Sequence, residues 1–212
     1  MKKIFLVFLL IGFAKTFSQV KELNGKIYKT IVIGEQTWMS ENLAVTKFSN
    51  GENIPFAKSN AEWENAGENG TPAYCYYKND PTTVSKYGLL YNWYAVNDPR
   101  GLAPEGFQIP EIEDWDELVY HLGDDAGKKM KSKSNWLENG NGTNSSGFSA
   151  LPGGVRNGVG TYEDLGKTEA WWSSSEYASY GAKCCILYSF DNSVLLTELN
   201  TMYGLHVRCL KD

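Results

Sequence analysis

The chain has 212 residues, 42% of them hydrophobic and 14% aromatic, with 25 acidic against 20 basic side chains. An acidic balance argues against a nucleic-acid partner, which needs basic groups to neutralise phosphates. The length suffices for one good hydrophobic core without forcing a split into several domains.

The chain opens on Lys2 and Lys3, an apolar run over residues 4–14, and small residues at Thr16 and Ser18. This three-part pattern is that of a secretory signal peptide, with cleavage expected after Ser18. The run is too short to span a bilayer, which takes roughly 20 apolar residues. No cysteine follows the expected cut, so a lipid anchor there is not expected. Residues 1–18 carry three lysines and no acid, leaving 17 basic against 25 acidic residues and a charge of about −8. Residues 19–212 are read as a single exported domain.

Residues 27–33 are rich in β-branched and aromatic side chains, and Gly34-Glu35-Gln36 turns the chain into Thr37-Trp38-Met39, which predicts a hairpin. Ser59 with Glu62 three residues on has capping-box spacing and predicts a short helix through Trp63. A loop is expected over residues 65–70, then a strand over 73–77 holding Cys75 and ended by Asn79-Asp80-Pro81. The clearest helix is 111–122: Ile112, Trp115, Leu118, Val119 and Leu122 share one face at a 3.6-residue period. Pro110 stands before it and Gly123 after it. Its first-turn acids Glu111, Glu113 and Asp114 suit the helix dipole, which explains them without a catalytic or metal role. A second short helix is expected over 125–131, with lysines at its far end.

Residues 134–147 are Asn-, Gly- and Ser-rich around Trp136, a turn-forming composition. The run Gly147-Phe148-Ser149-Ala150-Leu151-Pro152-Gly153-Gly154-Val155-Arg156 carries three glycines and a proline among large apolar groups. It reads as an irregular loop packed into the core, with Phe148 and Leu151 needing burial. After a polar excursion over 157–168 comes a core strand at 171–176 and a loop at 179–181. A hairpin over 182–190 and 194–199 then turns about Asp191-Asn192-Ser193, with Cys184, Ile186, Tyr188 and Phe190 on one face. A closing strand over 205–210 places Leu205, Val207 and Cys209 on one side and His206, Arg208 and Leu210 on the other. Two helices in the first half with strands at both ends make an α+β domain of antiparallel sheets and long irregular loops.

Little in the chain points to catalysis. Only His121 and His206 are available as imidazole ligands, too far apart for a zinc motif, and each reads as an ordinary surface or helix-end residue. Ser173, Ser174 and Ser175 lack the Gly-x-Ser-x-Gly elbow of a nucleophile and read as a strand edge with satisfied hydroxyls. Four cysteines in an exported chain allow three complete pairings, and adjacent Cys184 and Cys185 point to opposite faces of a strand.

Five ordered blocks carry a family resemblance. They are residues 33–43, 87–96 and 104–122, the 147–156 loop and the ending Val207-Arg208-Cys209-Leu210-Lys211-Asp212. Together they resemble the Fibrobacter succinogenes major paralogous domain, a group of bacterial surface and secreted modules, from about Gly25 onward. The resemblance implies a C-type-lectin-like fold, in which both chain ends share a sheet and long loops in the second half carry the ligand. It also favours a Cys75–Cys209 disulfide, with Cys209 to Cys184 or Cys185 as the runner-up. The chain departs from its relatives at Ala103-Pro104 and Phe107-Gln108, where many carry Cys-Pro and Trp-His. Formylglycine-generating enzymes share that superfold, but Gly204 to Cys209 only distantly echoes their ending and their cysteine-dense catalytic segment has no match.

The functional expectation is a secreted, non-catalytic recognition module that binds a glycan or an extracellular protein through the 134–181 loops. Trp136, Asn139, Asn141, Arg156, Tyr162, Asp164 and Glu169 are the candidate ligand residues, because ring faces stack on sugars while amides and carboxylates take hydroxyls. The triplets of calcium-dependent lectins are missing, which disfavours calcium, although Asp164 with Glu169 or Glu176 could supply oxygens. No cofactor is expected. The alternatives are a structural or adhesive surface domain and, behind both, a formylglycine-generating-type oxidase.

Overall fold

The computed structural model describes residues 19–21, 27–178 and 180–212, with side chains from Ile27 onward. The expected signal peptide lies outside these residues, as does Ser179 of the expected 179–181 loop. The first strands are β1 (Gln19–Lys21), β2 (Ile27–Ile33) and β3 (Gln36–Met39). β2 and β3 form the expected hairpin, with Ile33 opposite Gln36. Tyr28, Thr30, Ile31 and Ile33 are buried, while Ile27 and Val32 face out.

Helix α1 (Asn60–Glu68) starts on the expected capping box: Ser59 Oγ accepts from the Glu62 N–H, and Glu62 accepts from the Ser59 N–H. It runs one and a half turns past Trp63, so the loop begins only after Glu68. The extension is held by packing: a Cβ on Gly67 would come 2.8 Å from Met202, and Trp63 Nε1 donates to the Met202 carbonyl. The short elements β4 (Tyr74–Cys75), α2 (Val84–Tyr87), β5 (Leu90–Tyr91), α3 (Trp93–Val96) and β6 (Phe107–Gln108) follow. Helices α4 (Ile112–Leu122) and α5 (Ala126–Met130) fall within the spans expected for them, and Trp115 and Leu118 of α4 are fully buried.

In the second half, β7 (Val155–Arg156) pairs with β8 (Tyr162–Glu163). Strands β9 (Thr168–Ala178), β10 (Gly181–Tyr188) and β11 (Leu195–Asn200) form a three-stranded antiparallel sheet with β10 in the middle. Phe190 does not continue the face expected to hold Cys184, Ile186 and Tyr188. It lies beyond β10, 77% exposed, with its ring stacked on Tyr188 at 5.1 Å. The expected closing strand is also shorter. Only β12 (Leu210–Lys211) is regular, because the preceding residues bridge three different elements: Gly204 to Arg156, Leu205 to Tyr91, and His206 to Trp171. β12 then inserts between β3 and β6, so both ends of the described chain share the sheet β1-β2-β3-β12-β6.

The architecture is therefore α+β with antiparallel sheets. The 147–156 run seats between them: Phe148 meets Trp38 at 5.7 Å, Trp115 at 6.1 Å and Trp171 at 5.5 Å. Full burial of one such ring stabilises by about 2–3 kcal/mol. Leu151 departs from expectation and is half-buried, lining a small cleft. One cluster gathers Trp38, Trp115, Phe148 and Trp171. A second holds Tyr28, Phe48, Tyr91, Trp172 and Cys209. A third holds Trp63, Cys75 and Tyr77.

Candidate functional site

The polar centre of the molecule is assembled from four distant segments. Glu169, near the start of β9, is fully buried and accepts from the Gly153 N–H at 2.7 Å and from Asn42 Nδ2 at 2.7 Å. Asn42 Nδ2 also donates to the Tyr87 carbonyl at 2.9 Å, which orients the amide. Its Oδ1 then accepts from Trp171 Nε1 at 2.9 Å and from Arg208 Nε and Nη2 at 3.1 and 2.7 Å. Arg208 Nη1 donates to the Phe148 carbonyl, and the guanidinium lies 4.3 Å over the Phe148 ring. A buried acid and a buried base are thus joined through one amide rather than in direct contact. Each loses hydration, and the hydrogen bonds offset that cost. Burial pulls the Arg208 pKa down to about 10.

His206 stands beside Glu169 in this centre. Its Nδ1 is 3.2 Å from Glu169 Oε1, yet neither ring nitrogen makes an aligned hydrogen bond. The pair is close in distance but wrongly angled. His206 is completely buried, not the surface residue expected from sequence, because the bridge to Trp171 pulls its backbone into the core. Gly153 makes the closeness possible: a Cβ there would fall 2.4 Å from His206 Cε1 and 3.0 Å from Glu169 Oε2. His121 lies on the exposed last turn of α4 as expected. The hydroxyls of Ser173, Ser174 and Ser175 are all hydrogen-bonded.

The seven residues expected to bind ligand do not form one exposed platform. Trp136 is buried, donating through Nε1 to the Ala150 carbonyl at 3.0 Å, with Lys131 Nζ 5.3 Å over its ring. Asn141 is exposed but serves that same loop, its Oδ1 accepting the Trp136 N–H. Asn139 is exposed at a left-handed turn with φ of 61°. Arg156 is a structural bolt: it is fully buried, donates to the carbonyls of Gly160, Ala57 and Ser59, and lies 4.7 Å from both the Trp63 and Tyr162 rings. Tyr162 is half-buried against it and donates to Asn79. Asp164 is exposed, whereas Glu169 belongs to the buried centre. Arg156 and Tyr162 are brought together, as are Trp136 and Asn141; the other three are dispersed. Charge and ring content in a loop did not reveal which side chains turn inward, because their partners lie far away in sequence.

The favoured Cys75–Cys209 bridge is not formed. All four cysteines are free, buried thiols, and Cys75 and Cys209 lie in separate apolar clusters. Burial raises the pKa of each, that of Cys184 to about 12. Among the described residues no three His, Cys, Asp or Glu side chains converge as a metal site, and no helix is long and apolar enough to cross a membrane.

An open concavity lies elsewhere, at the far end of β9. It is a cleft of about 400 Å³ lined by Trp93, Tyr94, Glu176, Tyr177, Ala178 and Thr201. The β9–β10 register slips here, with Ala182 opposite Glu176 but Cys184 opposite Trp172. Such a bulge bends a strand and re-aims its side chains. Tyr177 is left 56% exposed, with Lys183 Nζ 4.1 Å from its ring, and Tyr180 beyond it is 79% exposed. Glu176 Oε1 accepts from Asn97, and the Thr201 hydroxyl donates to Tyr94 at 3.0 Å. The core strand expected at 171–176 stops short of Tyr177, since a bulge that carries β9 on to Ala178 leaves no signal in residue alternation.

The arrangement defines an antiparallel α+β domain with a buried polar centre and an exposed aromatic–carboxylate cleft. The chain belongs to the Fibrobacter succinogenes major domain family, whose family model matches residues 31–211, from within β2 to the last residue of β12. No curated protein and no solved structure matches it.

Proposed function

We propose that this chain is an exported, non-catalytic recognition module of C-type-lectin-like fold that binds a glycan at the Tyr94–Tyr177 cleft. The single observation that carries the reading is that cleft: aromatic rings stand beside a carboxylate and a hydroxyl in a concavity large enough for a sugar. Sugar rings present apolar C–H faces to aromatic side chains and hydroxyl edges to groups such as Glu176 and Thr201. The shared sheet of the two chain ends supports the lectin-like arrangement. A non-catalytic role draws support from the thiols, which are buried with raised pKa values, the opposite of an activated nucleophile.

A glycan array probed with the full chain, with and without calcium, tests this. Binding is expected in both conditions. Tyr177→Ala should weaken it by about tenfold or more while leaving the melting temperature unchanged, since the ring is exposed. Unaltered binding in Tyr177→Ala together with loss in Tyr162→Ala would return the site to the 134–169 loops. Absence of any glycan signal would favour the adhesive alternative.

A further inference from the structure

A second concavity, independent of the tyrosine cleft, opens above the buried centre. It measures about 160 Å³, and its lining includes Arg208 and Asn42 below, Ser149 and Leu151 on one wall, and Glu41 and Lys86 at the mouth. A cavity of about this size can hold a benzene-sized molecule.

The floor is chemically unusual. Arg208 is only 1% exposed, and among the described residues no carboxylate lies within ion-pair distance of it. A guanidinium has five N–H donors. Arg208 directs Nε and one N–H of Nη2 to Asn42, and one N–H of Nη1 to the Phe148 carbonyl. One N–H on each terminal nitrogen therefore has no protein acceptor. Glu169 cannot serve, since Asn42 stands between it and the guanidinium. Arg208 lines the cleft, and a buried cation with unfilled donors is stabilised by an anion that supplies oxygens.

The mouth is consistent with that chemistry. Lys86 is exposed, and its ammonium donates to Asn135 Oδ1 at 2.8 Å without a carboxylate partner among the described residues. Glu41 opposes an incoming anion, but its Oε1 accepts from the Lys29 N–H at 3.3 Å. The wall is held open by Ser149, whose φ of 62° is fixed by paired hydrogen bonds with Asn144.

We propose that this cleft is a carboxylate-binding site, the ligand's oxygens taking the two Arg208 N–H groups that no protein atom uses, with Lys86 guiding its approach. The planar fork of arginine matches a carboxylate. The cleft admits the end group of a short carboxylic acid, a peptide C-terminus or an acidic sugar.

The test is an NMR titration of the isotope-labelled full chain with sodium acetate, against sodium chloride and sodium phosphate. Acetate is expected to shift the Asn42, Ser149 and Leu151 amides saturably in the millimolar range. A methyl-capped acidic sugar and a short peptide acid then distinguish the two biological sources by relative affinity. Since Arg208→Gln could fail to fold, Lys86→Glu is the decisive variant. It should weaken acetate binding by about tenfold and leave the melting temperature in place. Equal shifts with chloride, saturation by phosphate but not acetate, or unchanged affinity in Lys86→Glu would each overturn the site. Glycan binding at Tyr177 is unaffected by any of these outcomes, so the two readings fail separately.

Discussion

At the scale of single residues, the centre of the fold depends on groups that burial has altered. Cys184 is fully buried, and its thiol pKa is pushed up from an ordinary 9.0 to about 12 by desolvation. A raised acid pKa means the folded state holds its proton longer than the unfolded state. The associated stability is complete below about pH 9 and is lost as pH climbs toward 12. One unit into that window, at pH 10, Cys184 alone should cost about 1 kcal/mol. Urea denaturation at pH 7 and pH 10 measures it: the drop between them should be smaller by about that amount in Cys184→Ala. An identical drop in both proteins would refute the assignment. Gly153 is the other exacting position. Adding one methyl drives it into His206 and Glu169 from two sides, so Gly153→Ala should destabilise by about 1–3 kcal/mol in the same measurement. Its neighbour Gly154 adopts φ of 71° with the Glu163 carbonyl 2.5 Å from any Cβ, so the pair is irreplaceable for two different reasons.

Elements formed by local chemistry were legible in the sequence, and elements formed by distant partners were not. The α1 capping box and the α4 stripe depend on residues three or four apart, and both are where the spacing put them. Ser59→Ala removes the side-chain acceptor for the Glu62 N–H and should cost about 1 kcal/mol, read as a lowered urea midpoint with an unchanged slope. Glu62 would still hold the Ser59 N–H, so a loss of several kcal/mol would mean that α1 carries more than its cap. By contrast, Arg156 and Glu169 read as loop polar groups because nothing near them in sequence shows their burial. Arg156 finds its acceptor at Ala57, 99 residues away, and Glu169 finds Asn42 at a separation of 127. The closing run failed for a related reason. Its alternation is that of a strand, but its backbone partners change with nearly every residue, so no ladder builds. The Tyr177 cleft escaped because the strand expected at 171–176 runs on to Ala178 past a register slip that residue alternation does not show.

For the whole molecule, the last eight residues are the part that ties the sheets together. Leu205 pairs with Tyr91, His206 with Trp171, and Leu210 with Trp38 and Gln108, so one short run touches both sheets and the strand pair beneath them. The same run supplies Val207 and Cys209 to one apolar cluster, Leu210 to another, and Arg208 to the polar centre. Deleting it would expose the neighbouring edges of β3 and β6 and leave Asn42 without its guanidinium partner. Phe148 would lose the cation above its ring and the donor to its carbonyl. No other described segment can take these places, because β3 and β6 meet only through β12. A chain ending at Gly204 should therefore show no cooperative thermal transition. The full chain should melt in one step, with slow amide exchange at Phe148. The decisive comparison adds the missing peptide, residues 205–212, back to the truncated chain. If folding needs only these contacts, the peptide restores a concentration-dependent transition. If the truncated chain melts cooperatively by itself, the sheets close without β12, and the 147–156 run is anchored by its aromatic contacts alone.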